Sequence, residues 1–154
     1  MVIYRGIPIS DIYSREKRSK IMSKIRGKET KPEILVRKFL FSEGFRYRIN
    51  DERYPGKPDI VLPKYNTVVF IHGCFWHGHE GCKASKLPKT NSEFWEKKIS
   101  DNVTRDRKNI KILISDGWNV IIVWQCEIKS KSKREERLKL LVKQIKNSKK
   151  ENVT

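Results

Sequence analysis

The chain has 154 residues, the size of one domain, and 37% of them are apolar, which is enough to bury a core. A formal net charge of +17 far exceeds what solubility requires and indicates a polyanionic partner, either nucleic acid or an anionic membrane surface. No apolar run reaches the roughly 18 residues of a spanning helix, and the first residues lack the layout of a secretory signal, so the sequence predicts a cytoplasmic protein without membrane segments.

The positive charge is concentrated at the two ends of the chain. Residues 1–31 carry nine basic and three acidic side chains, and residues 129–154 carry ten and three. The middle is nearly balanced and holds all three histidines. We expect a flexible N-terminal segment over residues 1–13, a single domain over residues 14–146, and a basic tail over residues 147–154.

The predicted elements run in the order helix, three strands, helix, strand, helix, after a short basic helix near the N-terminus. Capping residues, glycines and hydrophobic periodicity give their bounds. The bounds are 15–26 for the basic helix, 30–43 for the next helix, 45–49, 59–62 and 67–72 for the strands, 92–116 for the long helix, 118–124 for the last strand and 134–150 for the last helix. This order predicts an α/β/α sandwich with a mixed central sheet and functional residues at the strand ends.

A loop over residues 73–91 gathers histidine and cysteine in the pattern of a zinc site. Three cysteines are too few and too odd in number for a disulfide framework, whereas three Cys and one His form a common structural zinc set. Spacing alone allows either His77 or His79 as the histidine, and buried structural cysteines are the simpler alternative. We favour the set Cys74, His79, Cys82 and Cys126.

Asp59 follows Pro58 at the start of a predicted strand and is the candidate magnesium ligand. Carboxylates at the mouth of a sheet, beside basic surface, hold hard cations against phosphate groups. A local turn is the alternative for an isolated Pro-Asp pair. Glu33 has a capping-box position that needs no further function, although it can serve both purposes. His72 and His77 are candidates for activating water or donating a proton.

Several aromatic residues lie in or near the polar loop. If exposed, Phe75, Trp76 and Trp95 are suited to wedge between base pairs, and Met22 in the basic helix poses the same question. The alternative is that they cover the zinc site or join the core.

Three separate motifs together resemble the very short patch repair (Vsr) endonucleases, a family of DNA mismatch endonucleases. The motifs are TVVFIHGCFWHGHEGC at 67–82 after Pro58 and Asp59, EFWEKKISDNVTRD at 93–106, and WNVIIVWQC at 118–126. The resemblance covers roughly residues 14–146. It implies a restriction-endonuclease-like fold of the PD-(D/E)xK superfamily and a magnesium-dependent enzyme that nicks 5′ of the thymine in a T:G mismatch left by deamination of 5-methylcytosine.

The resemblance also implies a function for each matching residue. Asp59 and the backbone carbonyl of Ile71 match magnesium contacts, and His77, supported by Asp106, matches the group that activates water. His72 and Glu33 match the other active-site positions. The Cys/His set matches the structural zinc ligands, and Met22, Phe75, Trp76 and Trp95 match residues that intercalate beside the mismatch.

Two alternatives to this function remain open at the level of sequence. One is a restriction-type endonuclease that cuts undamaged duplex, and the other is a noncatalytic, zinc-stabilised DNA-binding protein. The expected partner is duplex DNA with a T:G mismatch, bound by a monomer, in a system linked to a cytosine-5 methyltransferase and other repair proteins.

Overall fold

The computed structural model describes residues 30–151, so the predicted flexible segment, the basic helix over 15–26 and Met22 lie outside the described residues. Within this range the predicted order of elements is confirmed. The helices are α1 (Lys31–Ser42), α2 (Ser92–Ser115) and α3 (Lys131–Glu151), and the strands are β1 (Arg48–Ile49), β2 (Ile60–Leu62), β3 (Thr67–His72) and β4 (Asn119–Trp124). No helix in residues 30–151 is long and apolar enough to cross a bilayer.

The four strands form one mixed sheet, as the sequence predicts, and their order in it is β1-β2-β3-β4. The first three strands are antiparallel, whereas β4 pairs with β3 in parallel. Parallel neighbours need a crossover connection, and the loop over 73–91 together with α2 supplies it. The parallel register ends with His72 opposite Trp124, so the carboxyl ends of β3 and β4 lie side by side.

Both faces of the sheet are covered by helices, which gives an α/β/α arrangement. Because side chains alternate along a strand, β3 sends Val69 and Ile71 to one face and Val68 and Phe70 to the other. The first face packs against α1 and α3, and the second packs against α2. The helix residues buried in these two clusters are Val36, Leu40, Leu138, Leu141 and Ile145 on the first face and Leu113 on the second.

The start of α1 and the first strand differ from the sequence prediction. Thr30 occupies the N-cap position, but its side chain makes no capping hydrogen bond, so the capping-box interpretation of Thr30 is wrong. The strand predicted over 45–49 is reduced to its last two residues. Gly44 has φ +91°, and the N–H of Phe45 donates to the carbonyl of Leu40. Residues 44 and 45 therefore form the C-terminal cap of α1, and the strand begins only after them.

The last helix runs from Lys131 to Glu151, close to the helix predicted over 134–150, which already overlapped the basic tail expected over 147–154. Ser148 is buried, and its hydroxyl donates to the carbonyl of Tyr65 at 3.0 Å. It also lies 3.0 Å from the hydroxyl of Thr67 at the start of β3. The end of α3 is therefore fastened to the sheet through buried polar contacts.

Candidate active site and metal centre

Asp59 lies just before β2. Its carboxylate accepts a hydrogen bond from a backbone N–H of β3 that has no partner on β2. The pairing of β2 with β3 ends at Val69, and the N–H of Ile71 donates instead to Oδ2 of Asp59 at 2.6 Å. In an extended strand the N–H and C=O of one residue point to the same side. The carbonyl of Ile71 therefore faces the side on which Asp59 lies, as a shared cation site would require.

A second carboxylate from α1 reaches the same place. Glu33 is only 4% exposed and lies close enough to Asp59 to raise the pKa of that carboxyl group. Arg37, one helical turn further on, contacts Glu33 at 3.3 Å. The same guanidinium nitrogen lies 3.4 Å from the side-chain oxygen of Asn50 and 3.5 Å from the carbonyl of Asp59. Sequence reasoning missed Arg37, although its spacing of four residues from Glu33 was a usable signal.

The two carboxyl groups compete for one proton. Burial, and then the negative charge of Glu33, raise the pKa of Asp59 to about 7 against the opposing effects of the Ile71 N–H and Arg37. A divalent cation can replace a shared proton in such a pair, because it satisfies both negative charges at once. The donors fit Mg²⁺, which prefers oxygen ligands: a carboxylate from Asp59, the carboxylate of Glu33 and the carbonyl of Ile71.

His72, at the end of β3, forms a compact group with a histidine from the following loop and an acid from α2. The rings of His72 and His77 are stacked at 3.8 Å with planes 4° apart. Nδ1 of His77 lies 2.6 Å from Oδ2 of Asp106. The sequence separates His77 and Asp106 by a long loop and half a helix, and the fold brings them together as expected from the resemblance.

The electrostatics of this group favour a neutral His72 and an ionised Asp106. Burial, and then the charge of His77, lower the pKa of His72 to about 3, so the ring is neutral at pH 7. Burial alone would raise the pKa of Asp106, but the hydrogen bond and charge of His77 lower it overall. In a neutral His77 ring, Nδ1–H donates to the ionised Asp106 and Nε2 is the free proton acceptor. The ligand atoms of His72, His77 and Asp106 lie within 4.8 Å of one another, close enough to hold a metal ion, and the 2.6 Å contact between His77 and Asp106 also suits proton transfer.

The predicted zinc ligands also meet. The ligand atoms of four residues lie within 4.8 Å of one another, and Nδ1 of His79 is 3.5 Å from Sγ of Cys126. Donors around tetrahedral zinc lie about 3.3 to 3.8 Å apart, so the set fits after a small contraction. The four residues are Cys74, His79, Cys82 and Cys126.

Gly78 separates the functions of the two neighbouring histidines. Its φ is +59°, and a Cβ there would lie 2.9 Å from Val103 and 3.0 Å from Ile99 on α2. Only glycine allows the loop to turn this close to the helix. On one side of that turn His77 reaches Asp106, and on the other His79 reaches the cysteines, so the geometry favours His79 over His77 in the cluster.

Without metal, the cysteine at the end of β3 is a thiol. Burial raises the pKa of Cys74 to about 12, with further contributions from the neighbouring cysteines. A bound Zn²⁺ would displace this proton, because thiolate is the metal-binding form. The cluster joins the loop to the residues just after β4, so a metal there would tie the ends of the two parallel strands together.

The aromatic residues of the loop form a third apolar cluster against α2. Phe75 is 3% exposed and packs with Ile99, whereas Trp76 and Trp95 are half-buried around it. Phe75 is therefore part of the core in the protein without DNA. Phe94, which the sequence reasoning did not single out, is 61% exposed with its ring 5.1 Å from that of Trp95.

A buried carboxylate pair and a His–Asp pair at one strand end, in a strongly basic protein, are typical of a metal-dependent nuclease. Comparisons with known proteins support a nuclease. The family model described as "DNA mismatch endonuclease Vsr" matches residues 10–83. The type II nicking enzyme V.NmeAIP of Neisseria meningitidis serogroup A is 58% identical over 91% of this chain and 99% of its own length.

Two further relatives extend the likeness over most of the chain. The type II nicking enzyme V.XorIIP of Xanthomonas oryzae pv. oryzae is 44% identical over 85% of this chain and 96% of its own. The DNA mismatch endonuclease Vsr of Escherichia coli K12 is 41% identical over 81% of this chain and 80% of its own. The chain belongs to the Vsr family of DNA mismatch endonucleases and is a DNA endonuclease.

Proposed function

We propose that this endonuclease nicks one strand 5′ of the thymine in a T:G mismatch arising from deamination of 5-methylcytosine, by magnesium-assisted hydrolysis. The chain acts as a monomer on a restriction-endonuclease-like fold, in a system linked to a cytosine-5 methyltransferase. The relatives, which are named as a mismatch endonuclease and nicking enzymes, support this choice.

One observation carries the proposal: consecutive residues of β3 hold both halves of the active site. The N–H of Ile71 binds the carboxylate of Asp59, and the next residue, His72, stacks on His77. A cation held by the carboxylates and a proton acceptor on His77 would therefore lie at the same strand end. Hydrolysis of a phosphodiester needs these two functions beside one phosphate.

In the proposed mechanism Asp59, Glu33 and the carbonyl of Ile71 would hold Mg²⁺. A magnesium ion at this place would supply Lewis-acid activation of the phosphate and charge stabilisation of the leaving oxygen. His77 accepts the proton of the attacking water at Nε2, while Asp106 orients its ring through Nδ1. His72, as a neutral ring, stabilises charge on the phosphate through an N–H donor rather than through a positive charge.

The remaining predicted residues bind and deform the DNA. The basic ends of the chain neutralise phosphates and give an affinity that falls with salt. Trp76 and Trp95 are accessible enough to stack on bases, whereas Phe75 must leave its cluster to intercalate. Met22 completes the proposed set of intercalating residues. A structural Zn²⁺ on the Cys/His cluster holds the loop that carries these aromatics.

A nicking assay on three duplexes of one sequence tests the proposal. Duplexes with T:G, C:G and T:A pairs are incubated with purified protein, with Mg²⁺ or with a chelator, and the labelled strands are separated under denaturing conditions. The proposal predicts one nick in the T strand of the T:G duplex only, dependent on Mg²⁺. Equal cleavage of all three duplexes would instead indicate a restriction-type endonuclease.

The matched control is Asp59→Ala. It should abolish nicking while leaving the melting temperature close to wild type and the zinc content unchanged. Tight binding of the T:G duplex by wild-type protein with no cleavage under any divalent cation would indicate a noncatalytic DNA-binding protein and refute the proposal.

A further inference from the structure

Trp124, the last residue of β4, lies between the Cys/His cluster and the proposed catalytic histidines. It is the register partner of His72, so the two side chains leave neighbouring strands at the same level. Side chains at paired positions point to the same face of a sheet. Trp124 also stands two residues before Cys126, one of the four clustered residues.

The indole ring contacts one histidine from each site. His79 stacks on it at 4.0 Å with planes 7° apart, and His72 meets it edge to face at 5.2 Å and 74°. His72 in turn stacks on His77, whose Nδ1 bonds to Asp106. These contacts form an unbroken series of rings from the metal cluster to the proton acceptor.

Stacking matters here because the torsion that turns a histidine ring has broad, shallow preferences. The ring planes of His79 and His72 are therefore fixed by packing, and Trp124 is the one ring that contacts both of them in the described residues 30–151. A metal bound by His79 would hold that ring still, and the stack would pass the restraint to Trp124. Groups behind a metal ligand commonly affect affinity or activity by about 10- to 100-fold.

We infer that Trp124 is a positioning residue through which the occupied Cys/His cluster orients His72 and His77 for proton transfer. The inference rests on the proposed nuclease mechanism for its functional meaning. The effect of metal binding at the Cys/His cluster on the rings of His72 and His77 depends only on the ring stack, so it is measurable without DNA.

The test uses the full-length chain labelled at histidine. Its three histidines, His72, His77 and His79, give three ring signals in a ¹H–¹³C spectrum. Metal-stripped wild type, Trp124→Leu, Trp124→Phe and Trp118→Leu are titrated with Zn²⁺ to saturation, and zinc stoichiometry is measured in parallel. Trp118 is a matched control because it packs edge to face on Tyr54 at 5.1 Å, just before the other end of β4.

In wild type and in Trp118→Leu, zinc should shift the ring signals of His72 and His77 as well as that of His79. In Trp124→Leu the His79 shift should persist while the response of His72 and His77 is lost, and Trp124→Phe should recover part of it. Single-turnover nicking at saturating DNA should fall about 10- to 100-fold in Trp124→Leu. If Trp124→Leu cannot hold zinc, Trp124→Met, which also lacks an aromatic ring, takes its place in the comparison.

The inference would be overturned if zinc shifted the ring signals of His72 and His77 equally in wild type and in Trp124→Leu. It would also be overturned if zinc did not shift these two signals in wild type. If only the proposed function failed, zinc would still shift the signals of His72 and His77 in wild type, but wild type would not nick a T:G duplex. A wild type that nicks with uncoupled signals would refute the inference alone.

Discussion

Replacing Arg37 by Met tests whether this guanidinium is the internal counter-charge of the carboxylate pair. Arg37 is 7% exposed and contacts Glu33 at 3.3 Å, beside Asp59. Removing one partner of a buried ion pair costs about 3 to 5 kcal/mol, because the remaining charge is left uncompensated. The raised pKa of Asp59 allows that group to take up a proton, so we expect a loss near the lower end, about 3 kcal/mol.

Urea unfolding at pH 7, followed by circular dichroism, measures this loss. Arg37→Met is combined with Glu33→Gln in a double-mutant cycle, and we expect a coupling free energy of about 1 to 3 kcal/mol. Arg46→Met is the matched control, since Arg46 is exposed and lies over the ring of Phe41 at 4.1 Å. Its loss should stay within about 0.5 kcal/mol.

Two results would refute this reasoning. One is a loss in Arg37→Met as small as that of the Arg46 control. The other is simple additivity of Arg37→Met and Glu33→Gln, which would mean that the guanidinium does not compensate the carboxylates. Added Mg²⁺ should recover part of the loss in Arg37→Met, because the cation would supply the missing positive charge.

Three further predictions concern the metal cluster, the acid pair and the His–Asp pair. Cys126→Ser should lose zinc, measured by atomic absorption, and melt at a lower temperature; full zinc occupancy would remove Cys126 from the ligand set. The folded-state pKa of Asp59, about 7, lies above its unfolded value, so without Mg²⁺ the free energy of unfolding of wild type should fall as pH rises from about 4 to 7. Asp59→Asn should flatten that slope in urea titrations, and an unchanged slope would place the titration elsewhere. Asp106→Asn should slow single-turnover nicking about 10²- to 10⁴-fold without weakening DNA binding, whereas a loss of binding alone would argue against its orienting function.

The sequence predicted the long elements because their signals are local. The apolar runs that form β3 and β4, and the glycine that ends α2, are recognisable without distant contacts. The first strand was over-predicted because Phe45 alternates correctly with its neighbours but is held by the end of α1. Hydrophobic periodicity carries no information about such a backbone bond.

Within the site, the sequence could group residues but could not assign each partner. Spacing left His77 and His79 equivalent, and the difference arises from the close approach of Gly78 to α2, a contact between distant parts of the chain. From the sequence, Arg37 is an ordinary partner for Glu33 on the same helix. Its contact with Asp59 could not be predicted, because Asp59 lies 22 residues away in sequence. Phe75 could have been a surface wedge or a core residue, and only the packing of the loop on α2 decides this for the free protein.

The shared strand end makes the enzyme more sensitive to insertions and deletions than to many substitutions. In β3, Ile71 meets Asp59 through its backbone, while His72 sends its ring to His77 and Trp124. If the register of β3 shifted by one residue, each of its side chains would turn to the opposite face of the sheet. His72 would then lie away from the rings of His77 and Trp124. Removing one residue from β3 should therefore disable the carboxylate pair, the His–Asp pair and the Trp124 contact together, even if the sheet re-forms around the shortened strand.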